Sequence, residues 1–202
     1  MPDDGALLTA WRAGDLAAGR RLFERYFEAT LRFFANKVQT DPEDFVQDVF
    51  AACVRGRDRV RDDRSFRAYL FGVAYNVLRD HYRERYRGGS PEPLESHSVE
   101  DLAPGPSTMA RERQQDALLL DALRRLPMEL QVVLELFYWE DMTTAEIGEA
   151  LGIPSGTVRS RLRRGRERAQ ALLVELEAGG SLGETTPRGL DDWAREIRAS
   201  LT

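Results

Sequence analysis

The segment 143–169, TTAEIGEALGIPSGTVRSRLRRGRERA, leaves its backbone few alternatives. Thr143 with Glu146 three residues on is a capping-box pattern, so a helix begins there. It runs through Leu151, after which Gly152 can take the left-handed conformation that ends it. Ile153 plugs the turn, and Ser155 can cap a second helix. Val158 and Leu162, at i and i+4, face back toward a core. Gly148 is small where two helices approach closely. Together these features predict a helix-turn-helix.

The charge on the second helix is out of keeping with the rest of the chain. Six arginines fall between Arg159 and Arg168 against one acid, Glu167, although the 202 residues sum to a formal net charge of -5. Arg159, Ser160, Arg163, Arg164 and Arg166 are predicted on the outer surface of that helix. Guanidinium groups neutralise phosphates and can donate a bidentate pair of hydrogen bonds to guanine. The local charge therefore reads as an electrostatic footprint for DNA.

The remainder is predicted to be all-α, with two small helical domains and no strand alternation flanked by hairpin turns. In the first block Leu22, Phe23, Tyr26, Phe27, Thr30, Leu31 and Phe34 recur at helical spacing, with Asp15 as a cap. TDPED, 40–44, reads as Asp41 at an N-cap and Pro42 in the first turn of a helix whose inner side carries Phe45, Val46, Val49, Phe50 and Cys53. A polar break follows, and periodicity resumes from Phe66 to about Tyr86. Residues 88–108, GGSPEPLESHSVEDLAPGPST, are rich in Gly, Pro, Ser and acids, and are expected to be a flexible acidic linker that no regular element crosses. The second block carries Leu118, Leu119, Ala122, Leu123 and Leu126. Pro127 then opens a helix holding Leu130, Val133, Leu134 and Phe137. The expected boundaries are 1–87, a linker 88–108, a helix-turn-helix domain 109–178, and an extension 179–202.

Several classes are not expected. One cysteine, Cys53, permits no intramolecular disulfide and no thiolate-rich zinc site, and the two histidines are His81 and His97. No phosphate-binding Gly loop, metal-ligand cluster or nucleophile with a base is visible, so the chain is not expected to be an enzyme or to need a cofactor. MPDDGALLTA lacks a basic region followed by an apolar run, and no apolar stretch approaches the ~20 residues of a membrane span. The expectation is a cytoplasmic protein without membrane insertion.

Three stretches, in order, resemble a bacterial RNA polymerase sigma factor of the extracytoplasmic-function group, over about Leu7 to Leu176. DPEDFVQDVFAACVR, 41–55, is similar to the family's helix that binds core RNA polymerase. The resemblance implies that role for Asp44, Gln47, Asp48 and Phe50, and the first three share one helix face. RVRDDRSFRAYLFGVAYNVLRDHYRER, 59–85, is similar to the segment that recognises and opens the downstream promoter element. Val60, Arg61, Asp62, Asp63, Arg64 and Ser65 correspond to the loop that captures a flipped base, followed by Phe66, Asn76, Arg79, Tyr82 and Arg83. Extruded bases need hydrogen bonds, stacking partners and cations, and this stretch mixes all three. Tyr75 departs from the family, which often has a basic residue before the Asn. LRRLPMELQVVLELFYWEDMTTAEIGEALGIPSGTVRSRLRRGRERA, 123–169, resembles the C-terminal domain. It implies contact with the upstream element through Ser155, Thr157, Arg159, Ser160, Arg163, Arg164 and Arg166.

The function implied is promoter-directed transcription initiation, with core polymerase, promoter DNA and an anti-sigma factor as partners. A stand-alone helix-turn-helix regulator is the alternative reading. Its weakness is the first block, since a sensor or dimerisation domain has no reason to carry an acidic docking helix followed by a basic-aromatic one. In the extension, LDDWAREIRASLT (190–202) places Leu190, Trp193, Ile197 and Leu201 near one face of a possible amphipathic helix.

Overall fold

The computed structural model describes residues 3–60, 66–85, 96–102 and 117–179. The loop 61–65, most of the acidic segment and the extension with Trp193 lie outside them. Every regular element among the described residues is helical.

The first domain opens on α1 (Asp4–Arg12), a helix the apolar periodicity above does not reach. Its signal is short: Asp3 accepts from the Ala6 amide at 2.7 Å as N-cap, and Leu7, Leu8 and Trp11 are buried. Helix α2 (Leu16–Ala35) starts where expected, with Asp15 accepting from Ala17 and Ala18. Asp41 caps α3 (Pro42–Gly56), with Pro42 in its first turn. A 3-10 turn at Arg57–Arg59 follows α3, and the next described helix is α4 (Phe66–Arg85). Helices α2, α3 and α4 pack around Leu22, Phe33, Phe34, Val49, Phe71 and Leu78. Cys53 belongs to this core. Burial pushes its thiol up to about 12, which makes it inert packing.

The expected structureless linker needs correction. Val99–Leu102 form a helical turn, α5, with Val99 fully buried. Ser98 and Asp101 bond reciprocally: the Ser98 hydroxyl donates to Asp101 at 2.6 Å and the Asp101 amide donates to Ser98 at 3.1 Å. The next helix is seated on this segment, since the Met128 amide donates to the His97 carbonyl at 2.9 Å. Composition hid a local cap of the Ser-x-x-acid type.

The second domain comprises α6 (Ala117–Arg124), α7 (Met128–Tyr138), α8 (Thr144–Leu151) and α9 (Ser155–Gly179). Helix α7 is its centre, with Met128, Leu130 and every residue from Gln131 to Leu136 buried. The stripe expected on it is therefore only part of its buried surface, because neighbours enclose it on all sides. Pro127 stands at the N-cap of α7, not inside its first turn.

The helix-turn-helix forms at α8 and α9. Both halves of the Thr143–Glu146 capping box are made, and Gly152 ends α8 at φ 67°. The cap of α9 lies one residue earlier than expected: the Pro154 carbonyl accepts from Thr157 and Val158, which makes Ser155 the first helical residue. Val158 and Leu162 are buried against α7 and α8.

Candidate nucleic-acid and partner-binding surfaces

Three surfaces carry the residues singled out from the sequence. On α3, Asp44, Gln47 and Asp48 are exposed on one side, while Phe45, Val46 and Val49 point into the core. Phe50 is half-buried and stacks on Phe23, with ring centroids 4.5 Å apart. It helps to line an apolar groove of about 590 Å³ with Trp11, Leu16, Phe23, Phe27 and Val54. Leu16 is 73% exposed and Val54 46%, so the groove opens to solvent beside an acidic ridge. Apolar surface next to carboxylates suits an amphipathic helix with a basic face.

The second surface is α4. Asn76 is exposed, and its side-chain oxygen accepts from Arg79 at 3.0 Å. The Arg79 guanidinium lies 5.9 Å from the Tyr75 ring. Arg83 is exposed one turn on. Arg61, Asp62, Asp63, Arg64 and Ser65 lie outside the described residues. Three expectations are corrected. Val60, Phe66 and Tyr82 are buried, and cannot meet DNA in this conformation. Phe66 packs against Tyr26 at 5.6 Å, and the Tyr82 hydroxyl donates to the Lys37 carbonyl. They occupy the face of α4 turned toward α2 and α3, so their aromatic character serves packing.

The third surface is α9. Arg159, Ser160, Arg163 and Arg164 are exposed, and Ser155 and Thr157 are partly exposed at its start. Arg163 makes an exposed i,i+4 pair with Glu167 at 2.9 Å, a contact of small energetic weight. Glu129 holds Arg161 at 2.5 Å and approaches Arg164 at 3.6 Å. Arg166 is held by aromatic neighbours. Its Nε donates to the Tyr138 hydroxyl at 2.6 Å, and its guanidinium lies 5.5 and 5.4 Å from the Phe137 and Tyr138 rings. It braces α9 against α7 while remaining partly exposed.

A fourth set escaped the sequence reading. Lys37, at the end of α2, is fully buried and paired with Glu135 of α7. Burial outweighs the attraction of Glu135 and lowers the Lys37 pKa. Arg32 pairs with Glu140 at 3.2 Å, and Arg67 of α4 pairs with Glu146. Contacts between residues about a hundred positions apart leave no periodic trace in a single sequence.

Glu146 links this set to the helix-turn-helix. Burial raises its pKa, but the Thr143 amide, the Arg67 guanidinium and the Thr143 hydroxyl all donate to its carboxylate and hold it below the usual glutamate range. A depressed folded pKa gives stability that is present above the unfolded value, about 4.3, and lost as pH falls through the folded value. Thermal unfolding of the wild type and Glu146→Gln is therefore expected to show a gap at pH 6 that closes below about pH 4. An equal gap at pH 6 and pH 3 would exclude this role for the carboxylate.

Comparison with known proteins agrees with this layout. Residues 22–88 match the model for Sigma-70 region 2, and residues 116–168 that for Sigma-70, region 4. The chain is 30% identical over 178 residues to the ECF RNA polymerase sigma factor SigM of Mycobacterium tuberculosis, covering 87% of each chain. It is 34% identical over 160 residues to the RNA polymerase sigma-E factor of Streptomyces coelicolor, covering 75% of this chain and 86% of that one. Among solved structures it is similar to CnrH in complex with the cytosolic domain of CnrY, with a TM-score of 0.63 and 25% identity over 88% of this chain and 99% of that chain. A fold likeness at TM-score 0.59 and 21% identity extends to RpoE in complex with the anti-sigma factor NepR from Bartonella quintana.

Proposed function

The chain belongs to the extracytoplasmic-function group of RNA polymerase sigma factors and directs promoter-specific transcription initiation, and we propose from that premise a division of labour among its surfaces. The Asp44–Gln47–Asp48 ridge and the groove at Phe50 receive core polymerase. Asn76, Arg79 and Arg83, with the loop 61–65, meet the downstream element as it opens. Arg159, Ser160, Arg163 and Arg164 meet the upstream element, with Ser155 and Thr157 at the entrance of the helix.

The observation that carries this reading is the coexistence of two exposed surfaces of opposite charge in one small chain. An acidic ridge repels DNA and attracts a basic protein face. The arginine helix does the reverse. A free-standing regulator needs only the second. With a net charge of -5, the isolated chain binds duplex DNA weakly, and core polymerase supplies much of the affinity at the promoter. Among the described residues no helix is long and apolar enough to cross a membrane. The likeness to CnrH bound to CnrY supports an anti-sigma factor as a further partner.

Core binding is the direct test. Purified chain mixed with sigma-free core polymerase is expected to form a tight complex that Asp48→Arg weakens by at least 100-fold. Asp48 is exposed on α3, so the substitution leaves the fold intact. Retention of full core affinity by a folded Asp48→Arg protein would remove α3 as the docking face.

A further inference from the structure

We propose that Glu129 is a positioning residue for promoter choice: by clamping Arg161 it fixes the rotation of the arginine helix α9 on α7, and so sets how sharply the upstream element is read, without itself meeting a base. The inference deepens the reading that α9 meets that element, and rests on it.

The seat of α9 on its domain is largely apolar. Val158, Leu162, Ala169 and Leu173 are buried along one stripe. The approach to α7 is close, since a Cβ on Gly165 would stand 3.1 Å from side-chain carbons of Leu134. Apolar burial is non-directional, so it holds a helix down more firmly than it fixes rotation about the axis. Two arginines supply the direction. Arg161 donates to Glu129, in the first turn of α7, at 2.5 Å. Arg166 donates to the Tyr138 hydroxyl, at the last residue of α7, at 2.6 Å. At 3.6 residues per turn the two arginines stand about 140° apart around α9, astride the buried stripe. The helix is thus tied to both ends of α7, with one tie on each flank.

The Glu129 tie also reaches the displayed face. The side chains of Glu129 and Arg161 are only 21% and 17% exposed, so solvent screens their attraction less than that of the surface pair Arg163–Glu167. The second Glu129 oxygen lies 3.6 Å from the half-exposed Arg164. One carboxylate therefore grips the flank of α9 and steadies a guanidinium at the rim of the proposed DNA face. As a charge alone Glu129 is badly placed, because a carboxylate beside phosphates weakens binding to every sequence. Its placement makes sense as geometry. A rotated α9 would carry Arg159, Ser160 and Arg163 off the base edges that specify sequence, while contacts to phosphates, which carry no sequence information, could re-form.

Two substitutions that change the charge in opposite directions separate geometry from electrostatics. Glu129→Gln keeps the shape of the side chain and removes a negative charge. Arg161→Ala removes a positive one, and each undoes the same tie. Holoenzymes carrying either are titrated against duplexes with the matched or a scrambled upstream sequence, by fluorescence anisotropy over a salt series, at a temperature where circular dichroism shows each variant folded. Both are expected to lower the matched-to-scrambled affinity ratio by at least 5-fold, although Glu129→Gln binds scrambled DNA more tightly than wild type and Arg161→Ala does not. The double variant is expected to lose no more than either single one, because one tie is lost in all three. Unchanged ratios in both variants, with affinities that merely follow the charge, would overturn the proposal, as would shifts of the ratio in opposite directions. A wild-type holoenzyme blind to the upstream sequence would instead strike the assignment of α9 itself, and the role of Glu129 with it.

Discussion

Replacing Arg159 and Arg163 together by alanine is expected to lower holoenzyme affinity for the upstream promoter element by on the order of 100-fold or more, since each well-placed guanidinium–base pair is worth about 1–3 kcal/mol. Both side chains are exposed, and they lie four residues apart on α9. Neither supports the core, so the melting temperature of the double variant should stay within a degree or two of wild type. Arg163 loses only its exposed pair with Glu167. Two further substitutions separate reading from positioning. Arg166→Ala is expected to reduce stability, because it removes a hydrogen bond to Tyr138 and the cation over two rings. Arg164→Ala is expected to weaken all sequences alike and to flatten the salt dependence by about one counterion if Arg164 meets a phosphate. Fluorescence anisotropy over a salt series, on matched and scrambled upstream sequences, reads all of these. A double variant that still distinguished the two sequences as well as wild type would move base recognition off α9.

How much of this could be read from the chain depended on the range of each interaction. Caps are local, so Asp15, Asp41, the Thr143–Glu146 box and the left-handed Gly152 were all legible. Apolar periodicity located α2, α3 and α4 because each lays one face on a core. For α7 it located the helix but only part of its buried surface, because a helix enclosed on most sides has little exposed face to contrast with. It also misses α5, because one helical turn weighs little against the composition of the whole acidic segment. Aromatic residues were the most ambiguous signal. Tyr82 and Phe66 sit beside Asn76 and Arg79 in sequence, yet they face the opposite way, into the core. Only the packing of α4 against α2 and α3 decides between a stacking platform and a buried wedge.

Lys37 shows the limit most clearly. A lone lysine in an arginine-rich chain carries no local signal of its role. Its meaning depends on Glu135, nearly a hundred residues away. A lysine suits the position: a compact ammonium donates to a carboxylate and to the Phe33 carbonyl, at 2.6 Å, where the planar fork of an arginine would demand more room.

The second large effect is expected at Gly148, and it tests whether the helix-turn-helix can be broken without silencing the first domain. Gly148 lies in the middle of α8, where its backbone conformation suits any residue. The constraint is space. A Cβ there would stand 2.7 Å from the Ile153 carbonyl oxygen and 3.4 Å from the Ser155 amide, both of them backbone atoms. The same turn is tied by the Ile153 amide donating to the Gly148 carbonyl at 2.9 Å. No side chain can move aside to relieve the contact, so the turn must open and lose its hydrogen bond. Overpacking of this kind typically costs 1–3 kcal/mol, and the branched side chain of Gly148→Val places it at about 3 kcal/mol, the upper end. The loss falls on the angle between α8 and α9, and through it on Arg159 and Arg163. Upstream-element affinity should fall at least as far as in the double arginine variant, although every arginine remains. Core polymerase binding should persist, since the Asp44–Asp48 ridge of α3 belongs to the first domain and makes no contact with the turn. Simultaneous loss of core binding in Gly148→Val would mean that the two domains fold as one unit. The ridge would then depend on the second domain for its shape.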